Sequence, residues 1–270
     1  MHFRPIKQLG QSFLTYGPAA DRIVAALELK PEDEVLEIGP GKGALTLRLV
    51  KLCRRVTAVE IDSRLVEYLH MTLAVAKNLD VIEQDILGFD LTRFRDLKVC
   101  GNLPYNVSSQ ILFRLLDCLP SWSLGVFTLQ RELALRVVGE PGTKEYGALT
   151  VMFELSCERS RLFNLPPECF KPRPDVVSTV IMLRRRAKPL VALRDRELFS
   201  RVVKAAFAQR RKTLGNNLRS ELGTSRSELV EIEKQTGIEL GRRAETLTVE
   251  EFSRLCEVIG QRVRMIPSHA

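Results

Sequence analysis

Val35-Leu36-Glu37-Ile38-Gly39-Pro40-Gly41-Lys42-Gly43-Ala44 decides how the rest of the chain is read. Four residues of strand character run into a turn holding three glycines, and a helical pattern over 44–52 opens straight after it. Glycine reaches backbone conformations closed to other residues and lets a ligand approach the main chain closely. Gly39, Gly41 and Ala44 satisfy the G-x-G-x-x-A spacing of nucleoside-cofactor turns. Lys42 is followed by Gly43 rather than Ser or Thr, which argues against a nucleotide phosphate loop.

Outward from that turn, short apolar runs alternate with helical patterns from about residue 20 to 130. Helices are expected over 20–29 (Ile23, Val24 and Leu27 on one face), 44–52, 63–73 with Ser63 as N-cap, and 109–116. Strands are expected over 35–38, 56–61, 81–82, 98–101 and 124–129. This alternation predicts a parallel sheet covered by helices on both faces. Later, 146–154 and 176–183 both read as strands, joined by a stretch containing Pro166, Pro167, Pro172 and Pro174. Strands without an intervening helix predict an antiparallel edge. Arg184-Arg185-Arg186 through Pro189 reads as a linker, and 195–263 as helical, with breaks near Gly215, Gly223, Gly237 and Gly241. The expected organisation is an α/β domain over 1–184 and a small helical domain over 190–270.

The chain has 270 residues, 45% of them hydrophobic, enough for a substantial core. Its formal net charge is +8 and its pI about 9.3, which favours a polyanionic partner, nucleic acid or an anionic membrane surface. No apolar stretch is long enough to span a bilayer, and Met1-His2-Phe3-Arg4-Pro5 lacks a signal-peptide core. Cys53, Cys100, Cys118, Cys157, Cys169 and Cys256 form no C-x-x-C pair and sit among apolar neighbours. They read as buried reduced thiols, so a cytoplasmic protein with no membrane partner is expected. His2, His70 and His269 are scattered, and no metal site is expected.

Further candidates follow the strands in order. Glu60 ends the strand after the glycine turn, with Ile61 beside it, and a carboxylate there can accept both ribose hydroxyls of an adenosine. Asp85 and Ile86 follow the next strand. Asp85 is placed either to accept from an adenine amine, with Ile86 against the ring, or simply to cap a turn. Up to this point, S-adenosylmethionine and a nicotinamide dinucleotide fit equally.

Gly101-Asn102-Leu103-Pro104-Tyr105-Asn106 separates them. The exocyclic amine of adenine is a poor nucleophile, because its lone pair is delocalised into the ring. Two acceptors gripping both amino hydrogens would localise that pair. Asn102 Oδ1 is one candidate and the Leu103 carbonyl the other. Pro104 fixes the backbone and has no N–H to compete. Tyr105 offers a flat face for an extruded base. Hydride transfer has no use for this arrangement.

With these residues in hand, the chain resembles the family of ribosomal RNA adenine N6-dimethyltransferases, specifically the small-subunit enzymes. The resemblance runs through Gln8-Leu9-Gly10-Gln11-Ser12-Phe13-Leu14, the glycine turn and Asn102-Leu103-Pro104-Tyr105-Asn106. It continues through the segments 141–147 and 170–178 and ends in Phe207-Ala208-Gln209-Arg210-Arg211-Lys212-Thr213-Leu214. It implies a Rossmann-like S-adenosylmethionine methyltransferase sheet of seven strands, one antiparallel, plus a small all-helical C-terminal domain. It implies cofactor contacts at Ser12, Leu14, Gly39, Glu60, Asp85 and Asn102, beside which Gly41, Ile61 and Ile86 are expected to line the same site. Target-base contacts fall on Asn102, Leu103, Pro104 and Tyr105, and Phe170 would close the base pocket from the other side. At Ser12 this chain departs from the family's usual Asn or His with a shorter side chain. The implied partner is small-subunit ribosomal RNA within a partly assembled subunit, and the expected state is a monomer.

Twelve Lys and Arg residues lie between Arg184 and Arg219, opposed only by Asp195 and Glu197. Arg184, Arg185, Arg186, Arg210, Arg211 and Lys212 are the candidate phosphate contacts. Phe207 reads as helix core rather than a stacking platform. Two readings compete. One is a methyltransferase acting on a large-subunit adenine through the same loop. The other is an assembly factor that keeps the fold and RNA grip without turnover.

Overall fold

The computed structural model describes residues 5–6 and 9–265, the last four as backbone; Gln8, His2 and His269 lie outside the described residues. The chain divides into two compact units, Met1–Leu135 with Glu158–Arg185, and Arg136–Cys157 with Arg186–Ala270.

The first unit is built on a mixed sheet. Its elements are β1 (Phe13–Leu14), α1 (Gly17–Ala25), β2 (Glu34–Ile38), α2 (Thr46–Leu49), β3 (Arg55–Glu60), α3 (Ser63–Thr72), β4 (Leu79–Glu83), β5 (Leu97–Asn102), α4 (Ser108–Asp117) and β6 (Trp122–Gln130). After α5 (Arg131–Val138) and α6 (Ala148–Ser156) come β7 (Cys157–Leu165), β8 (Phe170–Lys171) and β9 (Ser178–Arg185). The seven-stranded sheet has the order β4-β3-β2-β5-β6-β9-β7, and β1 pairs with β8 as a separate antiparallel ribbon. Strands β2 to β6 pair in parallel, whereas β9 runs antiparallel to β6. The order therefore reverses between β2 and β5, and the crevice outside the carboxyl ends of strands at such a reversal is where open α/β sheets take ligands.

The core follows from the apolar pattern. Ile23, Val24 and Leu27 pack with Val35, Val56, Cys100, Val126 and Val180, all nearly inaccessible to water. The six cysteines are free and buried. No helix among the described residues is long and apolar enough to cross a membrane.

Several boundaries differ from expectation. The helix expected over 20–29 is α1, drawn forward by a proline in its first turn. Regular helix in 44–52 is confined to α2. Asp62, not Ser63, caps α3, its Oδ1 accepting from the Arg64 N–H at 3.2 Å. The strand expected over 146–154 is instead α6, in which seven residues from Leu149 to Ser156 are buried. A helix buried on nearly every side shows no amphipathic period and reads like a core strand. The seventh strand is β7, Cys-Glu-Arg-Ser-Arg-Leu-Phe-Asn-Leu, too polar to stand out in sequence. Arg184 and Arg185 belong to β9 rather than a linker, and Arg186 N–H bonds the Ser156 carbonyl.

The second unit is helical, but it is not the continuous 190–270 segment that the sequence predicts. It takes in 136–157 along with α7 (Arg196–Ala206), α8 (Leu214–Leu222), α9 (Arg226–Thr236) and α10 (Val249–Met265). α8 and α9 end at Gly223 and Gly237, both left-handed, whereas Gly215 lies inside α8. Phe207 packs between Tyr146 and Phe252, ring centroids 6.1 and 5.8 Å away, and so belongs to this unit's core.

Candidate active site

β2, β3, β4 and β5 deliver Ile38, Glu60, Glu83 and Asn102 to one edge of the sheet, and the crevice forms there. Gly39 and Gly41 both have positive φ, 64° and 57°. A Cβ on Gly39 would meet nothing within 4 Å, so this backbone faces open space. A Cβ on Gly41 would lie 2.9 Å from the Phe13 ring, so only glycine lets the N-terminal segment close over the turn.

Glu60 is 6% exposed. Its Oε1 accepts from the Ile61 and Asp62 N–H groups at 2.9 and 3.1 Å, and its Oε2 from the Gly41 N–H at 3.1 Å. Burial raises its pKa, and the three N–H groups oppose that shift. The carboxylate is thus held by backbone, with lone pairs left for a ligand's hydroxyls. Ile61, 49% exposed, and Ile86 supply apolar walls beside it. Asp85 lines the same hollow, and its Oδ1 accepts from the Leu87 N–H at 2.9 Å. The capping role is therefore present, alongside the crevice position.

Asn102 carries the sharpest feature. Its Nδ2 donates to the Ser12 carbonyl at 2.6 Å, and its Oδ1 is buried with no hydrogen-bond partner. A buried acceptor left unpartnered costs about 1–3 kcal/mol, and such groups call for an explanation. A donor arriving with a ligand would satisfy it. The Leu103 N–H bonds the Thr128 carbonyl at 3.1 Å, which fixes the loop on β6. The Ser108 hydroxyl lies 2.7 Å from the Pro104 carbonyl and 3.4 Å from that of Leu103. Its single proton goes to the nearer oxygen, so the Leu103 carbonyl keeps its accepting capacity. Tyr105 is half-buried, its hydroxyl 2.5 Å from Ser178 Oγ, and burial raises its pKa.

Some expected residues are elsewhere. Leu14 and Phe170 are partners in the β1–β8 ribbon, 7% and 4% exposed, and both belong to the hydrophobic core. Their side chains point into the core together, as cross-strand partners do, and the walls of the crevice described above come from other residues. The ribbon presents Ser12 and Phe13 instead. Ser12 reaches Asn102 through its carbonyl, while its hydroxyl donates to the Pro172 carbonyl at 2.9 Å. Leu9, Gly10, Gln11 and Phe13 also line the crevice. Gln11 Nε2 donates to Asp62 Oδ2 at 2.8 Å. All four stood in the N-terminal motif, but nothing in their chemistry set them apart in sequence.

Of the basic candidates, Arg184 is ion-paired to Glu28 at 2.7 Å. Arg185 binds Asp96 and the carbonyls of Leu119 and Pro120. Arg186 is half-buried. Arg184 and Arg185 are thus engaged by neighbouring groups rather than presenting free charge. In the helical unit, Arg210 bonds the Lys144 carbonyl, while Arg211 and Lys212 are exposed beside Thr213, the N-cap of α8.

The residues present fit a sulfonium nucleoside. Glu60 offers acceptors for ribose, Ile61 and Ile86 an apolar slot, Gly39 an open backbone, and the crevice continues to the free oxygen of Asn102. Sheet and crevice together define a Rossmann-like S-adenosylmethionine-dependent methyltransferase. The model of the ribosomal RNA adenine dimethylase family matches residues 3–261, and the chain belongs to that family. It is 42% identical over 262 residues to ribosomal RNA small subunit methyltransferase A of Geobacter metallireducens, covering 93% of this chain and 94% of the relative. The Listeria monocytogenes protein of the same name is also 42% identical, over 267 residues, covering 94% and 90%. Among solved structures, a dimethyladenosine transferase from Plasmodium falciparum superposes with TM-score 0.78 at 23% identity, covering 93% of this chain and 98% of that one. The 23S rRNA methyltransferase ErmE superposes with TM-score 0.73 at 29% identity, covering 92% and 100%.

Proposed function

We propose that this chain transfers methyl groups from S-adenosylmethionine to N6 of two adjacent adenines near the 3′ end of small-subunit ribosomal RNA, giving N6,N6-dimethyladenine. Its substrate is the RNA in a partly assembled subunit, and it acts as a monomer in the cytoplasm. The observation that carries the reading is the buried, unpartnered Oδ1 of Asn102 at the end of β5.

Asn102 Oδ1 and the Leu103 carbonyl accept the two N6 hydrogens and turn the nitrogen lone pair out of conjugation. Tyr105 stacks on the extruded base and holds it in plane. Glu60 holds the cofactor ribose, Asp85 and Ile86 its adenine, and Ser12 keeps the Asn102 amide turned the productive way. Bound S-adenosylmethionine supplies a methyl group on a positively charged sulfur, already a good leaving group. Each methyl gained by N6 replaces one of its protons, which leaves to water; in the second round a single N–H remains, held by one of the two acceptors. No strong base is required, so rate comes from positioning, which supplies about 7–11 kcal/mol in well-oriented systems. Exposed Arg211 and Lys212, with Arg210, grip phosphate.

Relatives 42% identical carry the small-subunit name, against 29% for the large-subunit enzyme, which favours the small subunit. The test is incubation with labelled cofactor and unmethylated small or large subunits, followed by mapping of labelled adenines. Label on two adjacent small-subunit adenines is expected. Label confined to the large subunit would overturn the substrate assignment.

A further inference from the structure

We infer that Ser178 is a positioning residue for catalysis, acting by tethering the Tyr105 hydroxyl so that the ring cannot swing away from the target base. The inference rests on the stacking role proposed for Tyr105. A phenylalanine would offer a base the same flat face without burying a hydroxyl. A tyrosine half-buried here needs a partner for its O–H. It has one: Ser178 Oγ, 2.5 Å away on a residue with 0% exposure.

The location of Ser178 makes the tether meaningful. It is the first residue of β9, where the chain leaves the 172–177 segment and enters the sheet, and it stands opposite Gln130 at the end of β6. Asn102 is in register with Thr128 on β6, and Thr128 with Val180 on β9. Residues two apart on a strand share a face, so Ser178 lies on the same face as this row, one step nearer the crevice. The acceptor Asn102 and the anchor of the Tyr105 ring are therefore referenced to one rigid sheet. The Tyr105 side chain is fixed at both ends, by its own backbone in the catalytic loop and by Ser178. The gap between ring and acceptor is then set by strand spacing rather than by loop conformation.

The test is a double-mutant cycle on the full-length protein with S178A, Y105F and the pair, and Y105A as a separate control. Three readouts are taken. They are kcat and KM on unmethylated small subunits, the Kd of S-adenosylhomocysteine by calorimetry, and the fluorescence of an RNA fragment carrying 2-aminopurine at the target adenine. S178A and Y105F should each lower kcat about tenfold, the size expected for one lost hydrogen bond. The pair should be no worse than either single variant. S-adenosylhomocysteine binding should be unchanged, and quenching of 2-aminopurine by the ring should weaken in all three. Equal losses on adding S178A to the wild-type protein and to the Y105F variant would show that Ser178 acts by another route and overturn the tether. So would wild-type kcat in Y105F, a variant that leaves the buried strand untouched. Full activity in Y105A would instead remove the stacking role itself, whereas an inactive Y105A with a fully active S178A removes only the tether.

Discussion

Asn102 Nδ2 donates to the main-chain carbonyl of Ser12 at 2.6 Å, and this one bond decides which way the amide faces. A carbonyl can only accept, so the nitrogen must point to Ser12 and the oxygen into the crevice. Ser12 contributes backbone, which makes the identity of its side chain secondary. The shorter side chain that sets this chain apart from the family pattern therefore leaves the Asn102 amide oriented as before. Ser12→Ala should retain methyl transfer and unchanged S-adenosylhomocysteine affinity. It should lose only the bond to the Pro172 carbonyl, about 1 kcal/mol or less of stability. Calorimetry and chemical denaturation check both halves, and a large loss of affinity would contradict the backbone role.

Glu60→Ala removes the proposed ribose acceptors and leaves the Gly41, Ile61 and Asp62 N–H groups without their partner. Loss of two hydrogen bonds to a charged group should weaken cofactor binding by about a hundredfold or more. Glu60→Gln keeps one acceptor and should fall between. An unchanged dissociation constant for Glu60→Ala would exclude this carboxylate from the cofactor site.

Glu37 is fully buried on β2, and its Oε2 accepts from the Thr46 hydroxyl at 2.7 Å. Burial raises its pKa to about 7, with the nearby Glu60 charge adding to the shift and the Thr46 bond opposing it. The folded state thus binds a proton more tightly than the unfolded chain, where the value is 4.5. Stability from this group is complete below about pH 4.5 and declines as pH rises through about 7, by on the order of 3 kcal/mol. Glu37→Gln should flatten this slope between pH 5 and about 8 in urea denaturation. An identical pH profile in both proteins would place the proton elsewhere.

Arg184 and Arg185 are held by Glu28 and Asp96, whereas Arg211 and Lys212 are exposed. Replacing Arg210, Arg211 and Lys212 with Ala should therefore reduce the slope of log affinity for RNA against log salt, by roughly 0.7 per lost phosphate contact. Replacing Arg184 and Arg185 should cost modest stability and leave the slope alone. The reverse pattern in a salt titration would relocate the RNA contact.

What could be read ahead of the structure depended on whether the signal was local. The glycine turn, Glu60, Asp85 and Asn102 each follow a strand of recognisable pattern, so their order along the chain already placed them on one edge of a parallel sheet. α6 misled because burial on all sides erases the helical period, and β7 stayed hidden because Glu158, Arg159, Ser160 and Arg161 look like a loop. Leu14 and Phe170 are expected in the crevice from the resemblance, but their inward direction is set by pairing across 156 positions of sequence, which no local pattern encodes. The commitment of Arg184 to Glu28 and of Arg185 to Asp96 is equally long-range.

In the proposed reaction the buried, unpartnered Oδ1 of Asn102 grips the N6 amine. Single-turnover methyl transfer to unmethylated small subunits, at saturating cofactor, measures this directly in wild type and Asn102→Ala. The expected rate is lowered by about 10²–10³ or more, the usual effect of deleting one preorganised polar group at a reacting centre, with RNA affinity largely retained. A rate close to wild type in Asn102→Ala would contradict it.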